Sequence, residues 1–343
     1  MPLTAGKYAV PIGSTVLITG VNGFIGSHIA DQFLNLSFKV RGTTRDPEKN
    51  AWLSNLFATK YGTGMFEFIT VPDMAAQDAY ADAMRGVSVV IHTASIFTMD
   101  PNPHNVIPGT VSGTLNALEA AARESSVKRF VLTSSSGSAL TPAPNTILEV
   151  TTETWNDKAV EMAYRDPPYP PEHGPVVYHA SKTLAEKAAW KFVEEKKPGF
   201  TFNAVLPNIN FGISLDTANQ GHPTTSGLVA QIFNGNAHFL NFIPPQYYVD
   251  VQDTALLHVA AAIHPDVRSE RIFAFSEPVN GRRILAVLRK LYPERSFPGD
   301  PNDGDDLSNI VPRKRAENLL RELGKDGWTS MEDSIKWNTQ DLV

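Results

Sequence analysis

The sequence has no cysteine among its 343 residues, which excludes disulfides, thiolate metal ligands and a cysteine nucleophile. It also has no run of about 18 apolar residues, the length that a membrane-spanning helix needs. Lysine and arginine form no continuous stripe and the net charge is −6, so we expect no nucleic-acid partner. Met1–Thr15 lacks the basic segment and apolar core of a secretion signal. We therefore expect a soluble, cytoplasmic protein.

Several catalytic motifs are missing as well. The nine histidines are scattered, and neither H-E-x-x-H nor another metal-ligand spacing occurs, so we predict no metal site. The G-x-S-x-G motif of serine hydrolases is also absent. Metal-dependent hydrolysis and serine-hydrolase chemistry are therefore not supported.

The chain does contain an alternation of short apolar runs and helix-like segments. Strands are predicted at Thr15–Thr19, Lys39–Thr43, Phe66–Val71, Val87–His92, Arg129–Thr133 and Thr201–Leu206. Helices are predicted between them at Phe24–Leu34, Glu48–Tyr61, Gln77–Met84, Val106–Arg123 and Ser181–Lys196. Strands that alternate with helices are typical of βαβ units. The sequence therefore predicts an α/β fold with a doubly wound parallel sheet, a Rossmann fold.

This rhythm breaks after about Asn208, where segments rich in glycine and proline begin. We interpret residues 1–207 as one Rossmann domain, a fold that commonly binds dinucleotides. Residues 208–343 are predicted to form mainly a smaller C-terminal substrate-binding lobe, with some segments returning to the first domain. One more strand is expected at Arg271–Ser276, and short helices at Asn318–Leu323 and Ser330–Trp337.

A glycine-rich turn follows the first predicted strand. The segment Thr19–Gly26 (TGVNGFIG) spaces its glycines as G-x-x-G-x-x-G between a strand and a helix, the context that gives such a motif weight. Gly20 would allow the tight turn, Gly23 a close backbone approach to a pyrophosphate, and Gly26 the packing of helix on sheet. The helix N-terminus would attract the pyrophosphate. The alternative is a tight turn that binds no ligand.

The end of the second strand distinguishes the two nicotinamide cofactors. An NAD site usually has an acidic residue about 20 positions after the first glycine, whereas this stretch reads VRGTTR and ends at Arg45. A guanidinium pairs well with a 2′-phosphate, so we predict NADP(H); Arg41 and Arg45 could instead be ordinary surface charges. Asp73 follows the third strand and could accept from the adenine amino group, or could simply cap a turn.

A serine, a tyrosine and a lysine form the predicted catalytic set. Tyr178 and Lys182 are spaced i and i+4 and so lie on one helix face. An ammonium close to a phenol lowers the pKa of the phenol and makes it a usable acid or base. Ser134 and Ser135 follow the strand RFVLT, at an edge where a hydroxyl can hold a carbonyl oxygen as charge develops. Alone, such a Tyr and Lys pair is common on solvated helices.

Taken together, these motifs resemble those of a known family. The segments TGVNGFIG, RGTTRD, VIHTAS, RFVLTSSSG, YHASK and VLPN occur in the order of extended short-chain dehydrogenase/reductases. The chain is most similar to the dihydroflavonol reductase-like group and, within it, to fungal NADPH-dependent aldehyde and ketone (carbonyl) reductases. The resemblance runs from about Gly13 to Ile335.

The resemblance implies roles for particular residues. Ser135 would be the catalytic serine, with Ser134 as the alternative, Tyr178 the proton donor, and Lys182 the residue that binds the nicotinamide ribose. Asn116 would support a proton relay through water. His179 stands where the family usually has an aromatic or apolar residue, and its simplest reading is helix surface. The predicted cofactor-binding residues are Gly20, Asn22, Gly23, Phe24, Ile25, Gly26, Arg45, Asp73, Met74, Thr93, Ala94, Ser95, Tyr178, Lys182, Pro207 and Asn208.

The predicted substrate side mixes apolar bulk with few hydrogen-bonding groups. Its candidate residues are Phe97, Met99, Ser135, Asn208, Phe242 and Gln246, with Thr98, Tyr164 and Phe211 as further candidates. Such a lining suits a hydrophobic or aryl aldehyde or ketone. The proline-rich loop Asp166–Pro175 would either cover this site or form a rigid connector.

We therefore predict an NADPH-dependent carbonyl reductase, a monomer or homodimer. Two alternatives remain: a nucleotide-sugar epimerase or dehydratase on the same fold, and a non-catalytic NADP(H)-sensing protein. A dehydratase would need an extra acid/base pair near the serine, and no Asp or Glu adjoins Ser135. A sensor would have no need of the Ser, Tyr and Lys set.

Overall fold

The fold is described from a computed structural model that covers residues 8–343; the first seven residues of the segment Met1–Thr15 lie outside the described residues. The strands are β1 Thr15–Thr19, β2 Lys39–Thr44, β3 Phe66–Thr70, β4 Val89–His92, β5 Arg129–Thr133, β6 Glu149–Val150, β7 Thr201–Pro207, β8 Ile209–Phe211, β9 Gln246–Asp250, β10 Arg271–Ala274, β11 Glu277–Val279 and β12 Asn309–Ile310. The helices are α1 Phe24–Asn35, α2 Ala51–Tyr61, α3 Ala81–Met84, α4 Pro103–Arg123, α5 Asp157–Ala163, α6 Gly174–Lys196, α7 Thr217–Gln220, α8 Thr225–Phe233, α9 Val251–Ile263, α10 Gly281–Leu291, α11 Arg313–Glu322 and α12 Met331–Thr339.

The main sheet has seven strands in the order β10-β7-β5-β4-β1-β2-β3, and all of its neighbouring strands are parallel. Every residue of β4 and β5 is buried, as expected for a parallel sheet that is covered on both faces. The predicted doubly wound α/β fold is confirmed. The strand order reverses between β1 and β4, which leaves a crevice at their carboxyl ends where ligands bind in such sheets.

Two apolar layers cover this sheet. One contains Ile29 and Phe33 of α1 together with Leu257 of α9. The other contains Leu118 of α4 and Phe192 of α6. The sheet edge that carries the candidate catalytic residues is therefore held from both sides by long, packed helices.

A second, smaller core lies in the C-terminal part of the chain. Strands β11, β9 and β8 form a three-stranded sheet, and Phe211, Val229, Tyr248 and Leu285 pack together there. Other segments of residues 208–343 return to the main sheet, because β10 pairs with β7 and α9 and α11 contribute to its core.

Four helices of the C-terminal part were not predicted: α7, α8, α9 and α10. Eleven residues of the 13-residue α9 are buried, so it has no polar face and its sequence carries no helical alternation. Helix α10 does bury Ile284, Leu285 and Leu288, a spacing that could have revealed it.

The start of α6 also differs from the prediction. The helix begins at Gly174 with Pro175 in its first turn, a position where proline loses no hydrogen bond. The helix therefore begins before the predicted Ser181 and includes both Tyr178 and Lys182. Within the described residues, no helix has the length and apolar composition that a membrane crossing requires.

Candidate active site

The β1–α1 turn has the backbone geometry of a dinucleotide loop. Gly20 has a positive φ of 63°, which favours glycine. A Cβ on Gly26 would lie 2.6 Å from the Gly20 carbonyl oxygen, and one on Gly20 would lie 3.2 Å from the Ala94 Cα. Two of the predicted glycines are therefore required by conformation or by close backbone contact.

The N-terminus of α1 leaves its first N–H groups without a side-chain cap, because its N-cap is Gly23. Uncapped N–H groups at a helix N-terminus form an anion site. The Phe24 side chain is 4% exposed and the Ile25 side chain packs against the core. Of the predicted contacts, Phe24 and Ile25 therefore offer backbone N–H groups and not side chains.

Thr93, Ala94 and Ser95 lie beside this turn. The Thr19 hydroxyl oxygen accepts from the N–H groups of Thr93 and Ala94, each at 3.0 Å, and the Thr93 hydroxyl donates to the Thr19 carbonyl. The Ser95 Oγ is buried and has no hydrogen-bond partner in the described part of the chain. A dinucleotide along this edge fits an orphaned hydroxyl at this place.

Arg41 of β2 and Arg45, which follows the strand, have different surroundings. Arg41 donates to the Glu67 carboxylate at 2.6 Å and to the carbonyls of Ala83 and Arg85, so its charge is used within the protein. Arg45 is exposed and forms no ion pair with the described residues. Of the pair, only Arg45 remains available for a 2′-phosphate.

Asp73 and Met74 lie in a turn that Asn116 holds. The Asp73 Oδ1 accepts from the Ala75 N–H at 2.8 Å, so its turn role is present. The Asn116 Nδ2 donates to the carbonyls of Met74 and Ala76 at 3.0 and 2.9 Å. The amide hydrogens of Asn116 are committed to this turn, and its relay role stays a prediction.

Ser135, Tyr178 and Lys182 meet at the carboxyl end of β5. The Ser135 Oγ accepts from the Gly137 N–H at 3.1 Å. The Ser135 hydroxyl also contacts the Tyr178 phenol and opposes the rise in the pKa of that phenol that burial causes. The Lys182 Nζ donates to the Thr133 carbonyl at 2.8 Å. A hydroxyl, a phenol and an ammonium group thus converge at one sheet edge.

Burial controls the charge of this group. It raises the pKa of Tyr178, with the Ser135 hydroxyl acting in the opposite direction. It lowers the pKa of Lys182 to about 8, and Glu186 acts in the opposite direction. The lowered pKa expected for Tyr178 is therefore not found, because desolvation disfavours the phenolate and the ammonium donates to a carbonyl. A phenol with a raised pKa holds its proton at neutral pH.

The structure also separates the two candidate serines. The Ser134 Oγ lies 2.5 Å from the Glu186 Oε2 and 3.1 Å from the Ser138 Oγ, within a buried network. The Ser135 hydroxyl is the one that faces the phenol. This arrangement favours Ser135 as the residue that contacts a carbonyl oxygen.

Two predicted substrate residues lie beside the catalytic set. The Phe97 ring is perpendicular to the Tyr178 ring at 5.3 Å between centroids and is 49% exposed. Met99 is 42% exposed, and its carbonyl oxygen would be 2.4 Å from a Cβ on Gly174. Pro207 ends β7 and Asn208 follows it, buried, with Oδ1 accepting from the Ile209 N–H.

Among the other substrate candidates, Phe211 is enclosed in a core, while Phe242, Gln246 and Tyr164 stay predictions. Phe211 is fully buried and stacks with Tyr248 in the second core, so its predicted lining role is wrong. The exposed Phe242 ring contacts His238, and the Gln246 amide donates to the Pro244 carbonyl. The exposed Tyr164 ring contacts His104, and the Asp166–Pro175 loop leads from there into α6.

Comparison with known proteins gives the chain a family. Residues 16–274 match the NAD dependent epimerase/dehydratase family. The chain belongs to this family. Aldehyde reductase 2 of Sporidiobolus salmonicolor is 43% identical over 95% of each chain. Ketoreductase adrE of Penicillium rubens is 38% identical over 97% of each. The yeast methylglyoxal/isovaleraldehyde reductase Gre2, solved with NADPH, superposes with a TM-score of 0.79 at 24% identity, covering 96% of this chain and 98% of Gre2, and shows the shared fold.

In this family member the residue after Tyr178 is half-buried and not an exposed residue of the helix surface. Burial lowers the pKa of His179 to about 4, and a Cβ on Gly137 would lie 2.4 Å from the ring. The His179 Nδ1 is 3.3 Å from the Thr141 Oγ1. The neutral ring therefore packs against the turn that carries Ser135.

Two further contacts could not be read from the sequence. The Gln220 amide, from the C-terminal part, donates to the Asn22 carbonyl at 3.3 Å and the Ser27 hydroxyl at 3.1 Å. It thereby supports the glycine turn from outside the first 207 residues. Glu186 lies four residues after Lys182, and this i+4 spacing was the one signal that could have drawn attention to it.

Proposed function

We propose that this protein is an NADPH-dependent carbonyl reductase that converts aldehydes or ketones to alcohols. The observation that carries the proposal is the convergence of Ser135, Tyr178 and Lys182 at the carboxyl end of β5. The names of the relatives, an aldehyde reductase and a ketoreductase that each match nearly the whole chain, support the same activity.

NADPH, when bound, would supply the hydride. The N-terminus of α1 at Gly23 would hold its pyrophosphate, Arg45 its 2′-phosphate, and Lys182 its nicotinamide ribose. Thr93, Ala94 and Ser95 would follow its length, and Pro207 and Asn208 would flank the nicotinamide. The orphaned Ser95 hydroxyl, the uncapped helix N-terminus and the unpaired Arg45 support this assignment.

The proposed chemistry depends on three side chains. Ser135 would donate to the carbonyl oxygen of the substrate, and the Gly137 N–H at its Oγ polarises that hydroxyl as a donor. Tyr178 would deliver its proton to the same oxygen as negative charge develops there. The Lys182 ammonium, oriented by the Thr133 carbonyl, would stabilise the phenolate left behind.

Apolar groups beside Tyr178 indicate the substrate class. Phe97 exposes a large apolar surface next to the phenol, and Met99 exposes another near the start of α6, which suits a hydrophobic or aryl carbonyl compound. An epimerase or dehydratase is less well supported, because the carboxylate nearest in sequence to Lys182 on α6, Glu186, is fully buried and paired with Arg271. That carboxylate is not free to exchange protons with a substrate.

The test is Tyr178→Phe. We expect the rate of NADPH oxidation with an aryl ketone to fall by at least about 100-fold, the usual contribution of a general acid. The dissociation constant for NADPH should stay within about twofold, because the ring packing is kept. Stopped-flow absorbance at 340 nm and a fluorescence titration measure the two quantities. Reduction at the parent rate would show that the mechanism is wrong.

A further inference from the structure

A fully buried carboxylate lies behind the catalytic turn. Glu186 is on α6, four residues after Lys182, and its side chain has no exposed surface. Its Oε2 is 2.5 Å from the Ser134 Oγ and 2.6 Å from the Ser138 Oγ, and its Oε1 accepts from the Arg271 Nε at 2.7 Å. A buried charge persists when it is paired and its lone pairs are satisfied.

The two serines that Glu186 contacts lie on either side of Ser135. Ser134 precedes it in the chain, and the Ser138 N–H donates to the Ser135 carbonyl at 3.0 Å. The Ser138 hydroxyl is also 2.8 Å from that carbonyl oxygen. One carboxylate therefore contacts the turn both before and after the residue whose hydroxyl faces Tyr178.

Arg271 holds the carboxylate in place from a different part of the chain. It lies on β10, at the edge of the main sheet, and its Nη1 donates to the carbonyls of Thr152 and Thr154 at 2.6 and 2.8 Å. Its guanidinium is 3.8 Å from the centroid of the Trp155 ring. With these contacts the arginine has a fixed position independent of Glu186, so it can serve as an anchor.

Glu186 also contributes charge near Lys182. It raises the pKa of that ammonium against the effect of burial. His92 of β4 and His258 of α9 also face Lys182, and burial lowers the pKa of these imidazoles to about 3 and about 4. Since both rings are neutral near pH 7, the Glu186 carboxylate is the charge that favours the ammonium form.

We propose that Glu186, anchored by Arg271, is a positioning residue for carbonyl reduction. Its hydrogen bonds with Ser134 and Ser138 place the Ser135 hydroxyl opposite the Tyr178 phenol. Its negative charge, one helical turn from Lys182, favours the ammonium form of that side chain. This inference rests on the proposed function. It adds a contribution of the C-terminal part of the chain to catalysis, because Arg271 comes from the segment that returns to the main sheet.

The experiment compares two changes of the network with a matched control. Glu186→Gln removes the charge, and the double variant Ser134→Ala with Ser138→Ala removes the contacts that grip the turn. Ser226→Ala is the control, since Ser226 is also fully buried but bonds the Pro223 carbonyl in the second core. Each protein is assayed for kcat, for KM with NADPH and an aryl ketone, for its pH profile and for thermal unfolding.

We expect kcat to fall at least about tenfold in both network variants, because small displacements of a catalytic group are costly. KM for NADPH should stay within about twofold. In Glu186→Gln the alkaline limb of the kcat profile should move to lower pH, as the Lys182 pKa falls. The control should keep the parent kcat. If Glu186 has a purely structural role, its variant should unfold at a lower temperature. The alkaline limb of the kcat profile and the kcat per NADPH-binding site should then stay unchanged.

If Glu186→Gln does not fold, the double serine variant decides the question. A folded double variant with the parent kcat overturns the proposal, and so does a folded Glu186→Gln with an unchanged alkaline limb. Ser135→Ala and Tyr178→Phe in the same assays separate the two hypotheses. If the parent protein does not oxidise NADPH with the aryl ketone, the proposed function itself fails, and if these two variants retain full activity, the catalytic roles of Ser135 and Tyr178 fail. If they lose activity while the network variants do not, only the positioning role fails.

Discussion

Arg41 and Arg45 show how one residue type takes two roles within five positions. The Arg41 guanidinium is held by Glu67 and by two backbone carbonyls, so it joins β2 to the strand beside it and to the end of α3. The Arg45 guanidinium faces solvent at the end of β2, where the 2′-phosphate of NADPH is expected. The choice between NADPH and NADH should therefore depend on Arg45.

Removing this guanidinium should change the preference between the two cofactors. We expect Arg45→Ala to raise the dissociation constant for NADPH about tenfold or more, the value of one charge-assisted contact. The constant for NADH should change little, because NADH has no 2′-phosphate. Fluorescence titrations with both cofactors measure the ratio. Arg85→Ala, an exposed arginine that pairs with Asp82, is the control, and equal losses for both cofactors would contradict the assignment.

Among the elements, the β1–α1 turn depends most on the absence of a side chain. A Cβ at Gly26 would meet the Gly20 backbone oxygen at 2.6 Å and the Val21 Cα at 3.1 Å. Neither is the end of a flexible side chain, so the turn itself would have to shift. The first N–H groups of α1 would shift with it, and these groups are the proposed pyrophosphate site.

Gly26→Ala should therefore weaken cofactor binding by displacing the β1–α1 turn. We expect the dissociation constant for NADPH to rise at least about tenfold, equivalent to about 1.4 kcal/mol. Gly199→Ala is the matched control, because a Cβ there would meet no atom within 4 Å. Isothermal titration of the two variants makes the comparison. Binding by Gly26→Ala at the parent affinity would show that this turn does not hold the cofactor.

At the scale of the whole molecule, buried charges link the two cores. Asp250 ends β9 and caps α9 by accepting from the Gln252 N–H at 2.8 Å, while the Ser334 hydroxyl of α12 donates to its Oδ2 at 2.6 Å. Burial raises the pKa of Asp250 to about 6, and Asp253 acts in the same direction. Because the folded pKa exceeds the unfolded value of about 3.8, the stabilising contribution of this group is complete below pH 3.8. It is lost as the pH rises through 6.

Asp250→Asn should remove this pH dependence. Asparagine is also a good helix N-cap, and it carries no charge to desolvate. We compare the free energy of unfolding of the variant with that of the parent at each pH. The difference should favour the variant by on the order of 2–3 kcal/mol more at pH 8 than at pH 4, as expected from a shift of about two pKa units. Urea denaturation at both pH values measures this difference.

A second variant is Asp253→Asn, which breaks the ion pair with Lys325 and should destabilise the protein at both pH values. Because Asp253 raises the pKa of Asp250, this variant should also lessen the pH dependence that Asp250 causes. A difference between Asp250→Asn and the parent that is the same at pH 4 and pH 8 would show that Asp250 does not titrate as described.

Features that depend on neighbours in the chain could be predicted from the order of the amino acids. The apolar run Thr15–Thr19, the glycines of the following turn and the i, i+4 spacing of Tyr178 and Lys182 each lie within a few residues, and each is found where it was expected. Since βαβ units are local and connect in a limited number of ways, these patterns were enough to predict the doubly wound sheet.

Features that depend on residues far apart in the chain could be seen only after the chain was folded. The Ser134 hydroxyl bonds to Glu186, 52 positions away in the chain, and the Asn116 amide bonds to the carbonyl of Met74, 42 positions away. Burial of Tyr178 and of α9 depends on the elements packed around them. No local sequence pattern therefore predicts that the pKa of Tyr178 is raised or that α9 is a helix. Hydrogen-bond partners and desolvation are properties of the packed chain. For that reason the roles of individual polar residues could be assigned only from the folded structure.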